Sequence, residues 1–305
     1  MKKLVLILVA ALFVNASAIM AGPLEDGDSA IKRKEYVSAM KIYRGLAEQG
    51  DAVAQFMVGA MYYRGQGVQR DYTEALKWYR LAAAQGDSGA QANLGTMYSR
   101  GHGVLQNYAE ALKWSRLAAL QGLARAQSNL GSTYENGEGV PKDFGEALKW
   151  YRLSATQGDA AGQFGLGVMY DFGKGVEQNS IEAAKWYRLS AEQGFMTAQS
   201  NLAVMYANGQ GVAKDYAESA KWYRRSAVQG FAVAQANLGV IYAEGKGTSR
   251  DYVRSYLWLS LSAEAGNESA ITNIRIVAKR MKPEQLAEAQ RLVRDCKQRN
   301  LQGCD

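Results

Sequence analysis

The stretch Asp51–Gly86, DAVAQFMVGAMYYRGQGVQRDYTEALKWYRLAAAQG, decides the fold because the chain repeats it. Copies follow without insertion or deletion at Asp87–Gly122, Leu123–Gly158, Asp159–Gly194, Phe195–Gly230 and Phe231–Gly266. All six tryptophans fall at one phase of this 36-residue period: Trp78, Trp114, Trp150, Trp186, Trp222 and Trp258. A fixed period of 20 to 50 residues marks a stacked-repeat protein, in which each unit buries its apolar face only against its neighbours.

Within one copy, Ala54, Gln55, Val58, Met61 and Tyr62 recur at spacings of three and four, which places them on one stripe of a helix. Gly65 ends that helix, since glycine tolerates the left-handed cap conformation. Gly65-Gln66-Gly67-Val68 makes a turn, with Val68 tucked between helices. Asp71 followed three residues later by Glu74 reads as a capping box, the Asp accepting from the N3 amide and the Glu reaching back to the cap amide. A second helix then runs from Tyr72 to about Gln85, with Ala75, Trp78 and Ala82 inward, and Gly86 stops it. The phases of Gln55, Tyr62, Gly65, Gly67, Trp78, Ala83 and Gly86 are invariant in all copies. The tryptophans are assigned a structural, space-filling role.

The ends of the array differ, as capping units must. Residues 1–21 have the layout of a cleavable signal peptide: Lys2-Lys3, the apolar run Leu4–Val14, then small residues with cleavage after Ala18 or Ala21. Residues 22–50 form an N-terminal capping half-repeat, in which Ser29–Gly50 matches only a second helix. Residues 51–266 are the six repeats, and 267–305 are C-terminal capping helices. Asn267–Met281 reads as one more first helix, and Pro283 opens the last. Localisation in the periplasm or outside the cell follows from the leader. An oxidising compartment permits a disulfide between Cys296 and Cys304; two free thiols or a metal site are the alternatives. The metal reading is weak, because the single histidine, His102, is remote and two thiolates do not fill a zinc shell.

The net charge is +7, or +5 without Lys2 and Lys3, which is mild for 305 residues. No basic run points to nucleic acid. The Lys77/Arg80 pattern that recurs along the second helices reads as solvated helix surface, the lysines following N3 glutamates by three residues. No phosphate loop or metal-ligand spacing is present, so no cofactor and no metal are expected. A hydrolase would have to use paired carboxylates such as Glu135 and Asp171, which share a phase in adjacent repeats.

The pattern A-Q-x-x-L-G-x-x-Y, G-x-G-V, D-Y-x-E-A-x-K-W-Y resembles the Sel-1-like repeat family, a relative of the tetratricopeptide repeats. One copy shows it as Ala90-Gln91, Leu94-Gly95, Tyr98, Gly101-His102-Gly103-Val104 and Asn107-Tyr108-Ala109-Glu110-Ala111-Leu112-Lys113-Trp114. The resemblance covers about Ser29 to Cys296. It implies an all-α, right-handed α-solenoid of antiparallel helix pairs and a scaffold or adaptor role. It also implies a non-enzymatic function for an exported bacterial member acting in the envelope. One exported branch of the family carries a disulfide in each repeat and is associated with β-lactam binding. No repeat of this chain contains cysteine, so that activity does not carry over.

In such solenoids the first helices line the concave face. The phases of Val53, Met57, Ala60 and Arg64 are expected there. The Met57 phase reads Asn93, Asn129, Gly165, Asn201 and Asn237, a ladder of amides that suits an extended peptide backbone. The Arg64 phase reads Arg100, Asn136, Phe172, Asn208 and Glu244, which suggests a groove running from basic to acidic. The alternative is that the asparagines only support stacking. A partner polypeptide is the first expectation, and an envelope polymer (peptidoglycan or an acidic polysaccharide) is the second.

Overall fold

A computed structural model describes residues 22–304. The leader read at 1–21 lies outside them. Among the described residues every regular element is a helix. The chain divides between Lys142 and Asp143 into two compact units, a boundary that falls within the copy Leu123–Gly158.

The first unit holds α1 over 22–32, α2 (Tyr36–Glu48), α3 (Ala52–Arg64), α4 (Tyr72–Ala84), α5 (Ser88–Arg100), α6 (Tyr108–Leu120) and α7 (Ala124–Asn136). The second holds α8 (Phe144–Thr156), α9 (Ala160–Phe172), α10 (Ser180–Glu192), α11 (Met196–Asn208), α12 (Tyr216–Ala227), α13 (Ala232–Glu244), α14 (Tyr252–Glu264), α15 (Glu268–Ala278) and α16 (Pro283–Gln298). Within each unit consecutive helices from α2 to α15 pack in series, and α16 returns onto α14. The N-terminal end differs from the half-repeat expected: residues 22–32 form a helix of their own, and Tyr43 of α2 donates to Asp28 of α1 at 2.5 Å.

The turn glycines do two jobs. Gly65, Gly101, Gly173, Gly209 and Gly245 are left-handed C-caps whose amides close the last turn of the first helices. The second glycine of each turn is also left-handed and presses on the preceding repeat. Gly103, at φ +68°, lies against the carbonyl of Tyr72 at the start of α4, where a Cβ would clash.

The second-helix caps depart from the expected capping box. Asp71 accepts from the amides of Thr73 and Glu74, and Asn107 accepts from that of Glu110. The reciprocal arm is absent, because the cap amides already donate to the invariant tyrosine carbonyls: Asp71 to Tyr62 and Asn107 to Tyr98. The N3 glutamates turn to other cations and donors. Glu110 and Glu146 pair with Lys113 and Lys149 and accept from the indoles of Trp114 and Trp150 at 3.1 and 3.0 Å. The arginines of this face also differ from plain solvated surface. Arg80 donates to Tyr98 at 2.6 Å and Arg188 to Tyr206 at 2.8 Å, each tying a second helix to the next repeat.

Gln55 and its equivalents are nearly inaccessible yet polar. Gln91 donates to the carbonyl of Ala83, which also accepts from the Gly86 amide, and accepts from Gln121 at 2.8 Å. Gln121 also donates to the carbonyl of Gly86. The same relay joins Gln85 to Gln55 and Gly50, and Gln193 to Gln163 and Gly158. Buried polar groups cost stability unless they are bonded, and the relay bonds these buried glutamines while it links one repeat to the next.

At the C-terminus Cys296 and Cys304 form a disulfide, with Cα atoms 5.1 Å apart. Both are buried in one cluster with Trp258, Leu257 and Val293, so the bridged tail covers α14, the last second helix of the six copies. Lys297 of α16 adds an ion pair with Glu264 of α14 at 2.8 Å.

Three expectations follow. Trp150, 5% exposed, should cost about 3–5 kcal/mol on truncation to alanine, read as a lower midpoint in denaturant unfolding. Gly103→Ala should destabilise more than Gly86→Ala: both sites are left-handed, at about 1–2 kcal/mol each, but nothing lies within 4 Å of a Cβ at Gly86. Equal losses in thermal melts would show that the close approach to Tyr72 is not felt. Reducing Cys296–Cys304 should lower stability by about 2 kcal/mol, given its short loop, and Cys304→Ser should remove the sensitivity to reductant.

Candidate functional site

The first-helix face carries the residues expected to meet a ligand, and the two units present separate stretches of it. In the first unit, α3 contributes less than its register suggests. Met57 is half-buried and packs on the cluster around Tyr43 and Trp78, and Ala60 is 5% exposed in the neighbouring cluster. Both serve the core. Arg64 and Arg100 are exposed at the ends of α3 and α5. Asn136 donates to Ser132 and Glu138.

In the second unit Phe172 is 65% exposed, with Lys174 5.7 Å from its ring centre. Asn208 donates to Gln210. Glu244, the expected acidic end, pairs with Lys246 at 2.7 Å, which offsets its charge locally.

The asparagine ladder divides into members with different partners. The Asn93 amide faces the hydroxyl of Tyr79, and Asn237 that of Tyr223, each favouring the ionised phenol. Burial pushes both phenols up to about 12; the asparagine amides, and Arg64 beside Tyr79, pull the other way. Each tyrosine comes from the second helix of the preceding repeat, so these asparagines hold adjacent repeats together. Asn93 also accepts from Arg125 of α7 at 3.0 Å. Asn201 is half-buried on α11, and the tyrosine before it, Tyr187, donates to Asp171 at 3.2 Å. Asn129 is exposed, and Ser115 stands where the preceding repeat would supply a tyrosine.

That substitution coincides with a cavity of about 340 Å³ between α5, α6 and α7. Gly95 and Ser115 are buried in its wall, Thr96 and Ser132 are half-buried, and Arg100 and Asn129 are exposed. Leu259 replaces the tyrosine in the last copy, and a cavity of about 500 Å³ lies there too, lined in part by Asn273 and Arg280. Asn273, in α15, continues the ladder at the same phase. Sequence reasoning passed over Ser115, Leu259 and Asn273. The signal was present: tyrosine follows tryptophan in the other four copies, at Tyr79, Tyr151, Tyr187 and Tyr223.

His102 is committed to packing. Its ring stacks on Tyr72 with centroids 4.6 Å apart, and Nδ1 lies 3.0 Å from the Tyr63 hydroxyl. Asp171 accepts from Tyr187, and Glu135 lies in the other unit. Among the described residues no three His, Cys, Asp or Glu side chains converge as metal ligands would. No helix among them is long and apolar enough to cross a membrane.

These features define an α-solenoid repeat protein. The chain belongs to the Sel1 repeat family: the Sel1 repeat is matched at residues 52–87, 88–123, 124–159, 160–195, 197–231 and 232–267. It is similar to the crystal structure of c5321, a protective antigen of uropathogenic Escherichia coli strains displaying an SLR fold, at 38% identity and TM-score 0.72. The match covers 84% of this chain and 56% of that longer one. It is also similar to a Sel1 repeat protein from Oxalobacter formigenes, at 35% identity and TM-score 0.73, over 79% of this chain and 97% of that one. The comparison with curated proteins found no match. Sel1 repeat proteins are generally non-enzymatic scaffolds for protein interactions.

Proposed function

We propose that this protein is an exported envelope scaffold that holds a partner polypeptide in extended form along its first-helix face. The observation that carries the reading is the set of side chains left open there after stacking is accounted for. Arg100 and Asn129 in the first unit, and Phe172, Asn201 and Asn208 in the second, mix amides with one cation and one ring. Amides both donate and accept, which matches a peptide backbone. The apolar ring and the cation add side-chain selectivity at separate points. The capping units at 22–50 and 267–305 close the array around the six repeats. Export rests on the leader at 1–21, and the buried disulfide suits an oxidising compartment.

The test is photo-crosslinking from native envelope extract with a photoreactive residue at position 129 or 208, against a control at Arg116 on the second-helix face. One polypeptide captured from both first-helix positions and not from the control is the expected result. It should persist in moderate salt, and an Arg100→Ala/Asn129→Ala/Asn201→Ala variant of normal helicity should lose it. Capture from the control alone would move the binding face. Salt-sensitive retention on polymer without any captured polypeptide would favour an envelope polysaccharide or peptidoglycan ligand.

A further inference from the structure

We infer that the Ser115 cavity is a receptor for a tyrosine side chain of the bound polypeptide, the ring replacing one that the repeat lacks. The inference deepens the groove-binding reading and rests on it for the source of that ring. Its argument begins from the neighbouring copies. In the first copy the Tyr79 ring lies flat against Gly59 of α3, so close that a Cβ at Gly59 would meet it at 2.8 Å. In the fourth copy Tyr187 covers Gly167 in the same way, at 2.6 Å. Gly95 is the equivalent glycine of the second copy, and the residue over it is Ser115. The backbone keeps the shape that accommodates a ring, and α6 does not supply one. The cavity of about 340 Å³ is the result, ample for a phenol ring and its stem when about 150 Å³ holds a benzene molecule.

The chemistry of the wall selects the occupant. Most hydroxyls around the cavity are turned back onto their own helices: Thr96 donates to the Ala92 carbonyl, Ser99 to that of Thr96 and Thr133 to that of Asn129. Ser132 accepts from Asn136. The wall is mixed: the stems of Thr96, Leu112 and Thr133 lie beside the polar groups of Arg100, Asn129 and Glu138. Among the hydroxyls, that of Ser115 is the exception. It is 8% exposed, lines the cavity, and among the described residues none hydrogen-bonds it.

A ring entering from the first-helix face would seat its apolar faces against Gly95 and Leu112. Its hydroxyl would exchange a hydrogen bond with Ser115. At the open end the Asn129 amide, free of the tyrosine contact that Asn93 and Asn237 make, meets the backbone of the residue carrying the ring. A phenylalanine ring would fill the same volume and leave Ser115 without a partner, the kind of loss that makes a hydroxyl-binding site selective.

The test titrates the full chain with N-acetyl-L-tyrosine amide, N-acetyl-L-phenylalanine amide and p-cresol, followed by calorimetry and amide NMR. Saturable binding of the tyrosine derivative is expected, with shifts centred on Gly95, Ser115 and Asn129. The phenylalanine derivative should bind about tenfold more weakly, one hydrogen bond's worth. Ser115→Tyr should abolish binding while melting no lower than wild type, because the new ring fills the cavity as Tyr79 does in its own copy. Asn129→Ala should weaken the tyrosine amide toward p-cresol and leave p-cresol unchanged. Absence of saturable binding by wild type, undiminished binding by Ser115→Tyr, or equal affinity for the two amino-acid derivatives would each overturn the inference. Equal affinity for p-cresol and the tyrosine amide would overturn its polypeptide half and assign the cavity to a free phenol. These outcomes are independent of whether a partner is captured at positions 129 and 208, so failure of the pocket and failure of the scaffold reading are separable.

Discussion

The stacking of these helix pairs depends on a polar contact inside an apolar interface. A second helix ends with carbonyls that have no partner within the helix, and the next repeat must bury them to cover the aromatic core. The Gln55-phase side chain meets that need. Gln91 reaches back to Ala83, and Gln121 completes the link by bonding both Gln91 and Gly86. Removing the Gln91 amide would take one of two donors from the Ala83 carbonyl, which keeps the Gly86 amide, and would leave Gln121 without that acceptor. The unvaried glutamine among alanines and leucines bonds both the end of the preceding repeat and the second helix of its own. The turn glycines add the steric half of the same constraint. Gly103 permits the turn to touch the start of α4 only because it has no side chain and a left-handed backbone.

Because so many positions are committed to stacking, the repeats differ chiefly where something other than stacking is served. The tyrosine after the tryptophan is a case in point. At Tyr79 and Tyr187 the ring covers a glycine of its own copy, and the hydroxyls of Tyr79 and Tyr223 face an asparagine of the next. At Ser115 the ring is gone, while the glycine and the asparagine remain. The retained frame and the missing side chain together make a cavity with defined walls, a different object from a gap left by loose packing. At Leu259 the exchange is apolar, and the adjoining cavity opens toward Asn273 and Arg280 at the capping end.

The same distinction separates the asparagines. On sequence they form one ladder with one role. In the structure Asn93 and Asn237 face phenols, and Asn93 is also held by Arg125. Stacking support therefore describes Asn93 and Asn237, while Asn129 is left exposed.

The period, the two helices per copy, the glycine stops, the Asp and Asn half of the second-helix caps and the final helix beginning at Pro283 are all legible in the sequence. Each rests on interactions within about one helical turn, or on the repetition itself. The separate helix at 22–32 was not legible, since it has no counterpart among the copies. Nor were the partners of the long polar side chains. Glu110 could answer its cap amide, a lysine or an indole by local rules alone, and the choice was made by the Tyr98 carbonyl, which occupies the cap amide first. The bonds from Arg80 to Tyr98 and from Gln85 to Gln55 join residues 18 and 30 positions apart. The Ser115 cavity needs three helices to exist. The sequence by itself determined the repeat and its helices, because those depend on neighbours along the chain. Only the tertiary structure decided which amides are free to bind and where a ring is missing, because those depend on what the adjacent repeat has already filled.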